Sequence, residues 1–343
     1  MRVLLLAAGR VSVGKNGPPD IPTGCAGVGY IPCGGERGDH RKRRTYEPST
    51  APAVTVVVGY QPGRGGDEAI ELGSGLADAL GTSLVLVIAT PKPWRTPSMA
   101  RVDAEFAEYA QRYGDDAEAA ARTHLRTRAP GTGVSFRRVS EGSVSKSLHV
   151  ALDELDADVL VLGTTHGDDG GRMSLGATTS RLMHSSSVPL ALAPRGYRCT
   201  AITGVTCAYS GDSRGEDVVV SARDLAGRLS VPLRVATFGV RPADMFPPEV
   251  GFDAERGVMQ AWREQMAASM QELVHRNVID NSVQTLVSTG DNWDAAFDGI
   301  EWPHGEILAI GTTPRDSVKR VFLGSTAAKI IAAATVPTII FPG

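Results

Sequence analysis

Past residue 52 the chain alternates between two hydrophobic periods. "AVTVVVGY" (Ala53–Tyr60) is a short β-branched run with no polar alternation, which predicts a strand buried on both faces. "GDEAIELGSGLADALG" then places apolar residues at helical spacing and stops at Gly81, a natural C-cap. The alternation continues. "TSLVLVIAT", "GVSFRRVS", "ADVLVLGTT" and "VPLALAP" read as strands. Between them, the long charged segment from Met99 to Arg128, the Ser-capped "SVSKSLHVALDEL" and "ATTSRLMHSS" read as helices. Five strands alternating with four helices predict a parallel, doubly wound sheet.

The same grammar is then written again. "AITGVTCAY", "PLRVATFGV", "SVQTLVSTG", "EILAIGTT" and "VPTIIFP" are the second set of strands. Helices are expected near "RGEDVVVSARDLAGRLS", "AERGVMQAWREQMAASMQELVHRN", "NWDAAFDGI" and "STAAKIIAAAT". Gly163 and Gly311 lie 148 residues apart, as do Gly176 and Gly324, Val188 and Val336, and Pro189 and Pro337. Two α/β domains follow, at 53–195 and 199–343, joined by the short linker "RGYRC" and therefore expected to pack on each other. The right-handed crossover rule gives each the strand order 3-2-1-4-5. Residues 1–52 hold nine Gly and six Pro without a sustained period, and are expected to be an extension that is mostly disordered. The "RKRR" at Arg41–Arg44 is read as a solvated stretch of that tail rather than a nucleic-acid patch.

Composition changes this picture little. Charged residues make up 21% of the 343, and the net charge of −3 gives no global attraction to nucleic acid or anionic membrane. Four cysteines without zinc or disulfide spacing and no long apolar run fit a soluble protein in the reducing cytoplasm. The histidines show no paired ligand spacing, and no G-x-S-x-G elbow or Walker A loop occurs. No catalytic residue or metal site is therefore expected, His166 and His184 included. Glu105, Glu108, Asp115 and Asp116 read as an exposed helix face, and Met259, Trp262, Met266 and Met270 as a packing stripe.

The repeated strand–glycine–loop–helix has two readings. Backbone N–H groups and the helix start can cradle a phosphate. Alternatively, Gly163 and Gly311 serve a tight turn that needs positive φ. At this point the chain resembles the universal stress protein family in its tandem form. The resemblance covers 53–343 and rests on the doubled order of elements, the outer glycines and the "VP" before each last strand. It implies flavodoxin-like (adenine nucleotide alpha hydrolase-like) domains, a pseudo-two-fold pairing through the last strands, a stress-response binding or regulatory role, and ATP in those members that carry G-x2-G-x9-G-[S/T]. Here the motif's second glycine is His166 in one half and Pro314 in the other, and its final hydroxyl is Ala177 in the first half but Ser325 in the second. The Asp that ATP-binding members place after strand one is replaced by Gln61 and Ser210, with Asp212 two residues on. Asp168 and Asp169 oppose phosphate in the first loop, whereas Arg315, Lys319 and Arg320 outnumber Asp316 in the second. Any ATP is therefore expected in the second half, on Gly311, Arg315, Lys319, Gly324, Ser325 and Thr326. The favoured function is a non-enzymatic stress-response module working through partner proteins, with weak or lost nucleotide binding. The alternative is slow ATP hydrolysis in the second half. A homodimer of the chain is left open.

Overall fold

The computed structural model describes residues 54–92, 100–129, 131, 133–164, 172–183, 185–241, 252–312 and 325–342. The expected N-terminal extension, Cys25 and Cys33 lie outside these residues. The first half runs β1 (Val56–Gly59), α1 (Gly66–Leu80), β2 (Leu84–Ala89), α2 (Ala100–Arg128), β3 (Val134–Val139), α3 (Val144–Glu154), β4 (Val159–Gly163), α4 (Ala177–Met183) and β5 (Leu190–Ala193). The second runs β6 (Gly204–Ala208), α5 (Ser213–Leu229), β7 (Leu233–Val240), α6 (Phe252–His275), β8 (Gln284–Gly290), α7 (Trp293–Asp298), β9 (Glu306–Gly311), α8 (Ser325–Ala333) and β10 (Thr338–Phe341).

The ten strands of the described residues form one sheet in the order β3-β2-β1-β4-β5-β10-β9-β6-β7-β8. Each half thus has the 3-2-1-4-5 order, and every pairing inside a half is parallel. The halves meet where β5 and β10 pair antiparallel, with Ile339 opposite Ala191. The expected approach of the two last strands is therefore a direct hydrogen-bonded ladder. Neither apolar edge is left open, as edge strands demand.

The inner strands are buried on both sides because helices cover both faces, while the outer strands β3 and β8 stay partly exposed. Val56, Val58, Val205 and Cys207 point to a layer built from α1, α2, α5 and α6, including Ile70, Leu76, Ala121, Val219 and Met270. Val57, Leu160, Leu192, Leu308 and Ile340 point to the other, where α3, α4, α7 and α8 supply Leu148, Leu182, Phe297 and Ile331. Each fully buried Leu or Ile contributes about 1.5–3 kcal/mol by leaving water. Cap residues set several helix ends. Ser143 accepts from the Lys146 amide, Asn292 from Ala295, and Gly81 closes α1 at φ 64.

The linker lies against α1. Glu68 accepts from the Gly196 amide at 3.0 Å, and Glu71 from the Cys199 amide at 3.2 Å. Glu71 is 4% exposed and is neutralised by Arg128 Nε at 2.9 Å, with His124 Nε2 at 3.2 Å. Burial, first of all, raises the thiols of Cys199 and Cys207, and neither forms a disulfide. A second tie joins the halves: Arg172, just before α4, donates to the Ala333 carbonyl at 2.5 Å and to Asp298 at 2.9 Å.

Candidate functional site

In an open parallel sheet, ligands bind beyond the carboxyl ends of strands where their order reverses. In the first half that point lies between β1 and β4. A cleft of about 190 Å³ opens there, floored by Gly59 and Leu162 and rimmed by Gln61, Arg64, Gly176 and Thr178. Small-molecule sites usually span about 300–1,000 Å³, so this one is cramped for a nucleotide.

Beside the cleft the β1–α1 turn presses on the end of β4. A Cβ on Gly163 would lie 1.8 Å from the Gly65 carbonyl oxygen, and Gly65 holds φ +78 directly against Thr164. In the second half a Cβ on Gly311 would lie 2.0 Å from Val218 Cγ2. Neither Gly163 nor Gly311 has positive φ. The positive-φ turn, one of the two readings for them, is thus replaced by a different requirement, close approach of the β1–α1 turn or of α5. The repeated threonines are structural too. Thr164 Oγ1 donates to the Ala193 carbonyl at 3.0 Å and Thr312 Oγ1 to the Phe341 carbonyl at 3.1 Å, tying strand four to strand five in each half.

At the end of strand one, Gln61 is exposed and brings no carboxylate. Tyr60, beside it, packs its ring on Gly66; burial first, then Asp67, raises its phenol. In the second half Ser210 donates to Asp212 Oδ1 at 2.6 Å, and the same oxygen accepts the Gly215 amide at 2.8 Å. Asp212 is the N-cap of α5, and the Ser210 hydroxyl followed by the Gly215 amide holds its carboxyl below the usual range. The carboxylate that could have replaced the missing aspartate is thereby committed to a helix end.

Of the residues expected to hold nucleotide, Gly311 closes β9, while Ser325 and Thr326 stand exposed at the start of α8. Arg315, Lys319 and Gly324 lie outside the described residues, as do His166, Asp168, Asp169, His184, Pro314, Asp316 and Arg320. Arg64, on the rim of the first cleft, was not singled out from sequence; its only signal was its place in the β1–α1 turn. Among the described residues no cluster of His, Cys, Asp and Glu could hold a metal. None of the described helices is long and apolar enough to cross a membrane. Met266 and Met270 are buried, and Trp262 lies over Gly239, where a Cβ would come within 2.4 Å of the ring. Trp262, Met266 and Met270 of that stripe pack, while Met259 is half-buried and lines a cavity at the carboxyl ends of β7 and β8.

The sequence model of the universal stress protein family matches residues 54–194 and again 203–342. Universal stress proteins of Mycobacterium tuberculosis and Mycobacterium bovis are each 41% identical over 292 residues, covering 84% of this chain and all of the relative. One from Mycolicibacterium smegmatis is 32% identical over 143 residues, 41% of this chain and 99% of its own length. The solved structure of a universal stress protein from Archaeoglobus fulgidus superposes with a TM-score of 0.51 at 13% identity, covering 84% of this chain and 98% of its own, a likeness of fold. With two family matches spanning most of the chain and the family's fold in each half, this protein belongs to the universal stress protein family.

Proposed function

We propose that this tandem universal stress protein is a cytoplasmic regulatory module of 53–195 and 199–343 that acts through protein partners and has largely given up nucleotide. The first half binds no ATP appreciably. The second keeps a weakened site on Gly311, Ser325 and Thr326, with Arg315, Lys319 and Gly324 from the adjoining loop. The observation that carries this reading is the fate of the strand-one carboxylate. Gln61 replaces it in one half, and in the other Asp212 caps α5 through the oxygen that accepts from Gly215 and Ser210. Losing one charge-assisted contact weakens binding about tenfold or more. Because β5 and β10 already cover each other, a homodimer of this chain would use another surface.

Calorimetric titration with ATP tests the reading. Little heat is expected below about millimolar ATP, and Ser325→Ala should erase what there is. Micromolar binding that survives Ser325→Ala and vanishes with Thr178→Ala would put the competent site in the first half. The second reading, slow hydrolysis by the second half, draws on the two exposed hydroxyls of Ser325 and Thr326 at a helix start. It requires phosphate release that Ser325→Ala abolishes.

A further inference from the structure

From β1 to β3 the first half repeats into the second at a constant offset. The strand registers match Val56 with Val205, Leu84 with Leu233 and Ser135 with Gln284. The helices keep that offset. A Cβ on Gly66 would lie 2.9 Å from the Tyr60 ring, and one on Gly215 would lie 2.8 Å from the Tyr209 ring. Ala117 and Ala121 of α2 are buried, as are Met266 and Met270 of α6. Position by position, Asp67 corresponds to Glu216, Ala120 to Ser269, His124 to Leu273 and Thr127 to Arg276.

In the second half these residues tie α6 to α5 and to the end of β6. The Tyr209 and Ser269 hydroxyls share a hydrogen bond at 3.0 Å. Arg276 donates from Nη1 and Nη2 to the two oxygens of Glu216, at 2.7 and 2.8 Å, a pairing of two forks. In the first half both ties are gone. Ala120 has no hydroxyl to offer Tyr60, and Thr127 brings no charge to Asp67. The Asp67 side chain is half-exposed, and among the described residues it pairs with no Lys or Arg. His124 Nδ1 stands 3.7 Å from it, beyond hydrogen-bond reach, while His124 Nε2 is engaged by Glu71 at 3.2 Å. The Tyr60 phenol is its other polar neighbour.

A cavity of about 660 Å³ opens where the ties are lost, within the usual size of small-molecule sites. Tyr60, Pro62, Ala119 and Ala120 give it apolar walls, and Asp67 gives it a carboxylate. Arg128 and Arg198 line it as well. One turn along α1 from Asp67, Glu71 accepts from Arg128 Nε at 2.9 Å and lies 3.9 Å from the half-exposed Arg198. Two guanidiniums share that one carboxylate, so this part of the cavity keeps positive charge while Asp67 keeps negative charge.

We propose that this cavity binds a small dipolar guanidinium compound, with its cation on Asp67 as Arg276 lies on Glu216 and its anionic group toward Arg198. Asp67 is one methylene shorter than Glu216, which leaves room for a guanidinium that comes from outside the chain. The planar fork of that group suits a carboxylate. The site uses none of the residues assigned to nucleotide and is independent of that reading.

The experiment titrates the full chain with L-arginine, agmatine and citrulline at constant ionic strength, following backbone amides by NMR. With arginine the expected result is a saturable shift at Asp67, Thr123 and Thr127, with a midpoint on the order of a millimolar because the carboxylate is half-exposed. Agmatine, which lacks the carboxylate, should bind severalfold more weakly, and citrulline, which lacks the cation, should not saturate. Asp67→Asn should weaken arginine about tenfold or more. Thr127→Arg, which copies Arg276, should fill the place from within and abolish the shifts. Absence of a saturable shift with arginine overturns the proposal. So does citrulline binding as tightly as arginine, an affinity unchanged by Asp67→Asn, or full binding by the Thr127→Arg protein. Agmatine binding as tightly as arginine overturns the contact with Arg198.

Discussion

Gly163 and Gly311 occupy equivalent places in the two halves but stand against different obstacles. The atom nearest a Cβ at Gly163 is the backbone oxygen of Gly65, in a turn already fixed by left-handed glycines at 63 and 65. The atom nearest a Cβ at Gly311 is a methyl of Val218, a side chain that is only partly buried. A backbone turn must shift as a unit, whereas a valine can yield locally. Overpacking typically costs about 1–3 kcal/mol, and Gly163→Ala belongs at or above the top of that range while Gly311→Ala belongs near the bottom. Denaturant unfolding of the two variants checks this, and equal losses would show that the obstacle is not what decides. The sequence marks both glycines by their repeat, yet it points to a phosphate cradle or a positive-φ turn. Close approach of a distant segment leaves no local pattern, so this reason became visible only with the fold.

At the scale of elements the reading from sequence succeeded where the signal is local. Strands such as Leu84–Ala89 are unbroken apolar runs, and helix ends at Gly81 and Ser143 carry their cap residues. Asp212 shows the limit. Its spacing from strand one suggested a ligand, but the same residue type is a favoured N-cap, and the α5 backbone claims it. Asp212→Ala should therefore destabilise the protein by ~1 kcal/mol through the lost cap. The sign with pH follows from its depressed carboxyl. A group lowered in the folded state contributes stability above its unfolded value, and loses it as pH falls through the folded value. The stability difference between wild type and Asp212→Asn should then be largest near neutrality and shrink on acidification below the ordinary Asp range. A difference that grows in acid would contradict this assignment of the charge.

At the scale of the molecule, the decisive contact is the β5–β10 ladder that fuses two five-stranded sheets into one. Sequence could expect the last strands to meet, because the family resemblance implies that pairing and an apolar edge strand invites it, but it could not supply their register or the Arg172 tie across the junction. The register matters physically. Thr338 faces Leu192 and Ile340 faces Leu190, so each strand satisfies the other's outward backbone groups while Ile339 and Ile340 stay buried. Cutting the chain in the linker would leave both edges unpaired over apolar residues, the condition that drives strand-to-strand association. The isolated second half, 199–343, should therefore fold with its own helices and self-associate through β10, taking the antiparallel place of β5 with a second β10. Sedimentation should give twice its monomer mass at micromolar concentration, with circular dichroism confirming that it is folded. Adding the isolated first half, 53–198, should convert that homodimer into a mixed pair. The mixed pair regains the native register and the contacts of Arg172 with Ala333 and Asp298, which two copies of the second half cannot form. A folded second half that stays monomeric at those concentrations would show that the ladder is a consequence of tethering, with too little affinity of its own to hold the halves together.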